Sequence, residues 1–300
     1  MIERLHFLKV IVVFALLFAA AAATTTLSVA EMNGLGSAYA QPPTTKIITD
    51  DATGGDCASI GSWNSTTKTC RLTTDLSNTT IKIDSDGITL NGDGHRITGP
   101  GESGGFPGDL GGGFGVVVHY QTGVTVKNLK VNNFHIGIIA AGSDNTFVRN
   151  TAYNNEVGIG ISPQGSHNTL VHNTANDNYG IGIYSYSNNT LVHNTANDNA
   201  DRSINFNGWG IFLDGPNNTV ILNTANDNTG WGIGCIGFDG PCDNNILIIN
   251  TANLNSEFGY RDESSGSGTS GTANTYITNE CSGNGSGGSN PTGLCYHPQD

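Results

Sequence analysis

Between residues 145 and 255 apolar and polar positions alternate in short bursts, as around Leu170-Val171 and through Ile181-Gly182-Ile183, with no helical period. Alternation with β-branched residues on one side predicts strands of about 3 to 5 residues joined by tight turns. The bursts recur. One phrase returns as NTFVRNTAYNNEVGIGI, NTLVHNTANDNYGIGI, NTLVHNTANDN, NTVILNTANDNTGWGIG and NILIINTANLN, its first asparagine at Asn145, Asn168, Asn189, Asn218 and Asn245. The successive separations are 23, 21, 29 and 27 residues. A repeat of about twenty residues that tolerates extra length at one point of its cycle is a solenoid whose loops leave from one face. Each coil then holds two or three strands, and the coils stack as a parallel β-helix rising about 4.8 Å per coil.

Stacking gives recurring letters a mechanical meaning. Asn150, Asn173, Asn194, Asn223 and Asn250 share one slot, and Asn155, Asn178, Asn199, Asn228 and Asn255 another. Like amides stacked along an axis bond from coil to coil, and asparagine tolerates left-handed backbone, so both columns are expected to be Asn ladders in turns. Ile159, Ile161, Ile181, Ile183, Ile211, Leu213 and Ile233 form the expected aliphatic core column, with Gly160, Gly182 and Gly234 leaving the outer face bare.

The N-x4-N-x4-N phrase followed by GIGI resembles the repeat of NosD-type and carbohydrate-binding/sugar-hydrolase (CASH) proteins within the pectate-lyase-like group. The stretch from Ile88 to Gly99, ITLNGDGHRITG, is similar to the opening coil of that family. The likeness covers about residues 80 to 280 and implies an all-β chain. The expected fold is a single-stranded right-handed parallel β-helix of about eight coils with a disulfide-bearing N-terminal cap. Activity does not follow from it, because this fold hosts lyases, hydrolases, epimerases, adhesins and accessory proteins.

The rest of the chain fits around that solenoid. Residues 1–40 have the form of a signal peptide: Arg4 and Lys9 precede an apolar run from Val10 to Ala23, and Ala38-Tyr39-Ala40 ends it, with cleavage after Ala30 or a retained anchor as the alternatives. Residues 41–86 are expected to cap the first coil, with Trp63 covering the core, residues 87–280 to form the helix, and 281–300 a Gly/Ser-rich tail. The glycine-rich run between Ile97 and Val116 is expected to be a long loop. Six cysteines beyond the signal are expected to pair by proximity as Cys57–Cys70, Cys235–Cys242 and Cys281–Cys295, the pattern of an oxidising compartment; the alternative is Cys235 as a residue of the aliphatic column with Cys242 free. Asn-x-Thr/Ser sequons fall at Asn64, Asn78, Asn188, Asn217 and Asn284, outside the two ladder slots. Together these predict a secreted or cell-surface monomer, with no membrane span once the signal is removed.

Charge removes one class of partner. A formal net charge of −13 repels a polyphosphate backbone, so nucleic acid is excluded. The resemblance implies a polysaccharide or cell-surface glycan as the partner. Asp177, Asp198 and Asp227 share one slot in successive NDN turns. Carboxylates one strand spacing apart would share protons or bind calcium, whose hard oxygen preference they match; the alternative is three solvated side chains fanning apart. His172 and His193 also stack, and the NosD resemblance implies copper chemistry there. Both methionines, Met1 and Met32, lie within the expected signal, so the soft ligands for copper are missing.

Aromatic residues precede successive Gly-Ile pairs at Tyr179, Trp209, Trp231 and Phe258, either as a platform for sugar rings or as corner packing. Tyr184 and Asp214 are expected to share the next outward slot, with Phe212 beside them. With Asp201 and Arg202 they make the candidate binding patch: Tyr184, Phe212, Asp214, Trp209 and Trp231 for substrate, and Asp214, Asp201 and Arg202 for catalysis. Glycoside cleavage needs two carboxyls about 5 to 10 Å apart, and no motif supplies them. The polygalacturonase-like signatures NTD, GHG and RIK are absent. The run Phe238-Asp-Gly-Pro241 is similar to the YG-F-DPH phrase of mannuronan epimerases but lacks its histidine. Glycan binding is therefore the leading expectation. A polysaccharide lyase, epimerase or hydrolase is the first alternative, and a structural or NosD-type metal-accessory protein the second.

Overall fold

The computed structural model describes residues 43–101, 113–161, 164–200, 208–238 and 240–297. The expected signal segment and most of the glycine-rich loop lie outside these residues. The described chain winds through three sheets in turn. The first is ten-stranded and runs from Thr44–Ile48 through strands such as Ile136–Ala140, Val157–Ile161, Ile181–Ser185 and Trp209–Leu213 to Gly287–Asn290. The second, also ten-stranded, runs from Gly61–Asn64 to Thr275–Ile277, and the third holds five strands from Leu76–Ser77 to Thr174–Ala175. Single parallel bridges through Thr195, Thr224, Thr251, Glu280 and Tyr296 extend the third sheet. Neighbouring strands are parallel and in register, except that Gly61–Asn64 pairs antiparallel with Thr69–Leu72. Eight complete coils lie between Thr79 and Glu280, and the tail adds a last strand to the first sheet, so pairing continues past residue 280.

What fixes the corners is asparagine. There are three inward ladders where two were expected, because Asn145, Asn168, Asn189, Asn218, Asn245 and Asn274 stack as well. In each ladder the amide oxygen accepts the backbone N–H of the asparagine one coil earlier, and in most steps that residue's Nδ2 also. Asn194 is typical: its Nδ2 donates to Asn223 Oδ1 at 2.9 Å and to the Leu170 carbonyl at 2.8 Å. Buried polar groups are tolerated only when so partnered.

The left-handed backbone falls one residue earlier than the ladder. Arg149, His172, His193, Leu222 and Ile249 precede the second ladder, and Asn154, Asp177, Asp198, Asp227 and Leu254 the third, all with φ between 53° and 58°. Aspartate, asparagine and histidine adopt this region more readily than other residues. The ladder asparagines are thus chosen for their amides, and the aspartates beside them for the bend.

The core follows the same register. Ile159, Ile161, Ile183, Ile211, Leu213 and Ile233 point inward as expected. Ile181 does not: it pairs with Val157 and Trp209 in a column outside the main core. The glycines also divide. Gly160 and Gly234 register with Tyr184 and Phe212 on the outer side. A side chain at Gly182 would instead meet Asn199 Nδ2 at 2.7 Å, so the third ladder excludes a side chain there. All three expected disulfides are formed, and Cys57–Cys70 pins the short helix Cys57–Ile60 to the antiparallel hairpin. Trp63 packs against the core end of that hairpin and donates its indole N–H to the Asp51 carbonyl.

Candidate functional site

The outer side of the first sheet carries the residues expected to form an exposed binding patch, and it buries them. Tyr184 is 4 % exposed, Phe212 0 %, Asp214 1 %, Trp209 4 % and Trp231 5 %. Tyr184 registers with Phe212 rather than with Asp214, which lies two residues further along the strand direction. Tyr179 leaves the expected aromatic column, because Gly-Ile-Gly-Ile of one coil aligns with Gly-Trp-Gly-Ile of the next and places Trp209 opposite Ile181. The rings pack on one another instead: Trp209 and Trp231 stack with centroids 4.7 Å apart and planes 8° apart, and Phe212 lies against Tyr184, Trp209 and Phe238. Outward positions of a sheet that are apolar in consecutive coils bury area by mutual stacking.

Polar groups are held within this cluster. Tyr184 Oη donates to Asp214 Oδ2 at 2.8 Å, and the Phe238 N–H donates to Oδ1 at 2.8 Å. The Arg261 guanidinium lies 4.5 Å from the Trp231 ring centre and donates to Glu263. The Trp231 indole N–H is buried with no acceptor among the described residues. Asp201 and Arg202, expected beside Asp214, lie outside the described residues.

A repeated polar surface lies elsewhere. On the third sheet Thr151, Thr174, Thr195, Thr224 and Thr251 form one half-buried column. Asn176, Asn197, Asn226 and Asn253 form the column beside it. These asparagines make a further, outward ladder in which each Oδ1 accepts a backbone N–H of the next coil at 2.7 to 2.9 Å. No acceptor among the described residues takes the Nδ2 hydrogens of Asn176, Asn197 or Asn226. On the second sheet Thr125, Thr146, Thr169, Thr190 and Thr219 stack in the same way. The sequence phrase Thr-Ala-Asn, recurring at 174–176, 195–197, 224–226 and 251–253, was the available signal for the outward ladder, masked by the stronger asparagine periodicity around it.

Asp177, Asp198 and Asp227 border this surface as an exposed column. Partial burial, followed by the neighbouring charges of Asp177 and Asp227, pushes the Asp198 carboxyl above the usual carboxylate range. Among the described residues no group of three or more His, Cys, Asp or Glu side chains is arranged to hold a metal ion. His172 and His193 are exposed and stack with ring centroids 5.0 Å apart. No helix among the described residues is long and apolar enough to cross a membrane.

No curated protein matches the chain in sequence. Among solved structures it is similar to the pectate lyase Pel9A, at 15% identity and TM-score 0.49 over 87% of this chain and 79% of that one. It is also similar to the Dettilon tailspike protein, at 18% identity and TM-score 0.42, over 76% of this chain and 55% of the tailspike. A third similarity, to the catalytic domain of a GH87 alpha-1,3-glucanase in complex with tetrasaccharides, has 13% identity and TM-score 0.39 over 90% of this chain and 70% of that domain. The family model of the right handed beta helix region matches residues 59–212, more than half of the chain, and the protein belongs to that family.

Proposed function

We propose that the protein is an exported, non-catalytic β-helix that binds a neutral polysaccharide along its third sheet. The outward asparagine ladder carries this reading. Its oxygens are fixed by backbone donors of the next coil, which leaves the Asn176, Asn197 and Asn226 amide hydrogens available, beside a column of threonine hydroxyls. Sugar hydroxyls both donate and accept, so a rigid row of amide donors and hydroxyls suits an extended glycan, and its immobility lowers the entropy lost on binding. The two columns carry no formal charge on Thr174, Asn176, Thr195, Asn197, Thr224 or Asn226, which favours a neutral chain. Calcium could bridge sugar hydroxyls to the bordering Asp177, Asp198 and Asp227.

A polysaccharide array probed with and without calcium tests the proposal. Binding to neutral glycans that Thr195→Lys and Asn197→Lys reduce at least tenfold, with melting temperature retained, supports it. Binding that survives both substitutions moves the glycan to another face, and hydrolysis or elimination products from any bound glycan would replace the non-catalytic reading.

A further inference from the structure

We propose that Asn64 and Asn217 are N-glycosylation sites, and that the fold excludes the glycan from Asn284. All five sequons share the required hydroxyl two residues on, but the structure puts their amides in different surroundings. Asn64 is exposed at the head of the hairpin turn, where its Oδ1 accepts the Thr67 N–H and its Nδ2 is uncommitted. Asn217 is exposed at a corner with φ 62°, and its sequon hydroxyl belongs to Thr219 on the outer side of the second sheet. Asn284, expected outside the ladders, closes the third one: its Oδ1 accepts the Asn255 N–H and Nδ2, and its own Nδ2 donates to the Ala252 carbonyl.

Asn188 and Asn217 occupy the same corner one coil apart, each with left-handed backbone. The Asn188 N–H donates to the Pro216 carbonyl, which locks the two corners together. A separation of about 4.8 Å is narrower than a sugar ring with its hydroxyls, so one folded molecule carries a glycan on one of the two. Asn217 is the more exposed. The attached sugar would emerge beside exposed Ile246, the register partner of Thr219.

The chemistry is a glycosyl transfer from a lipid-linked glycosyl diphosphate. The asparagine Nδ2 forms a bond to the anomeric carbon, the bond from that carbon to the phosphate oxygen breaks, the lipid diphosphate leaves, and the amide nitrogen gives one proton to the transferase. The full chain, exported from an N-glycosylating host and purified folded, is mapped by glycopeptide mass spectrometry. Glycan on Asn64 and Asn217, and loss of the Asn217 glycan in Thr219→Val with the melting curve otherwise kept, is the expected result. An unmodified Asn217, a glycan on Asn284, or both Asn188 and Asn217 modified on one molecule would overturn the assignment. So would a chain carrying no glycan at all.

Discussion

Asn223 Oδ1 receives two hydrogen bonds from Asn194, one from its backbone N–H at 2.8 Å and one from its Nδ2 at 2.9 Å. One side-chain oxygen thereby holds both the turn and the side chain of the coil before it. Asn194 Oδ1 does the same for Asn173.

Replacing Asn194 by leucine therefore strips partners from more than one buried group. The Asn173 N–H and Nδ2 lose their acceptor, and the Leu170 carbonyl loses a donor. At about 1 to 3 kcal/mol for each buried group left unpaired, Asn194→Leu is expected to cost more than about 3 kcal/mol. Urea denaturation gives the value, and a variant as stable as wild type would mean that the ladder relaxes around the substitution.

The glycines of the GIGI phrases make a paired test of which face they serve. A Cβ at Gly210 would lie 2.6 Å from the Gly232 carbonyl oxygen and 2.7 Å from Asn228 Nδ2, whereas at Gly160 its nearest neighbour is 3.8 Å away. Neither residue has positive φ. Gly210→Ala should lose about 1 to 3 kcal/mol through overpacking against backbone. Gly160→Ala should be neutral, or gain about 0.4 to 1 kcal/mol by restricting the unfolded chain. Similar melting temperatures for the two variants would show that the ladder does not set the spacing at Gly210.

The repeat was legible in the sequence because its period and its asparagines are imposed by stacking, which leaves few alternatives for a buried amide. Outward positions are harder to place. Tyr184 and Asp214 looked like neighbours in one slot, but a shift of two residues separates the aromatic column from the carboxylate, and register is set by inward residues such as Ile183 and Ile211 rather than by outward ones. Burial of Trp209 and Trp231 was equally hidden, since alternation tells which residues leave the core and not what covers them on the far side. The aspartate column also sits at left-handed corners, a local role that the spacing alone did not show.

Trp231 offers a direct measure of that covered face. Its indole N–H is buried with no acceptor among the described residues, while the ring stacks on Trp209 and carries Arg261. Trp231→Phe keeps most of the stacking and removes the unpaired donor, so its expected loss is below about 1.5 kcal/mol, near that of a shape-conserving core change. Trp231→Ala should cost about 3 to 5 kcal/mol. A large loss in the phenylalanine variant would show that the N–H has an acceptor in solution, such as an ordered water.

The Asp198 carboxyl links the corner geometry to pH and to calcium. Its pKa is raised in the folded protein by partial burial and by Asp177 and Asp227, so the folded state holds this proton more tightly than the unfolded chain does. Stability from this group is then present below the unfolded carboxylate pKa of about 4 and is lost as the pH rises through that value to the raised folded one. Asp198→Asn removes the charge and keeps the shape, and it should melt at or above the wild-type temperature at pH 7 with a smaller decline between pH 4 and neutrality. If the three carboxylates turn toward one another, calcium relieves the same repulsion and raises the wild-type melting temperature by binding the folded state alone, with a much smaller rise in Asp198→Asn. Matching pH profiles in the two proteins would remove Asp198 as the source of the decline. Equal calcium responses, or none, would leave the column as solvated side chains selected for the left-handed bend that Asp177, Asp198 and Asp227 all adopt.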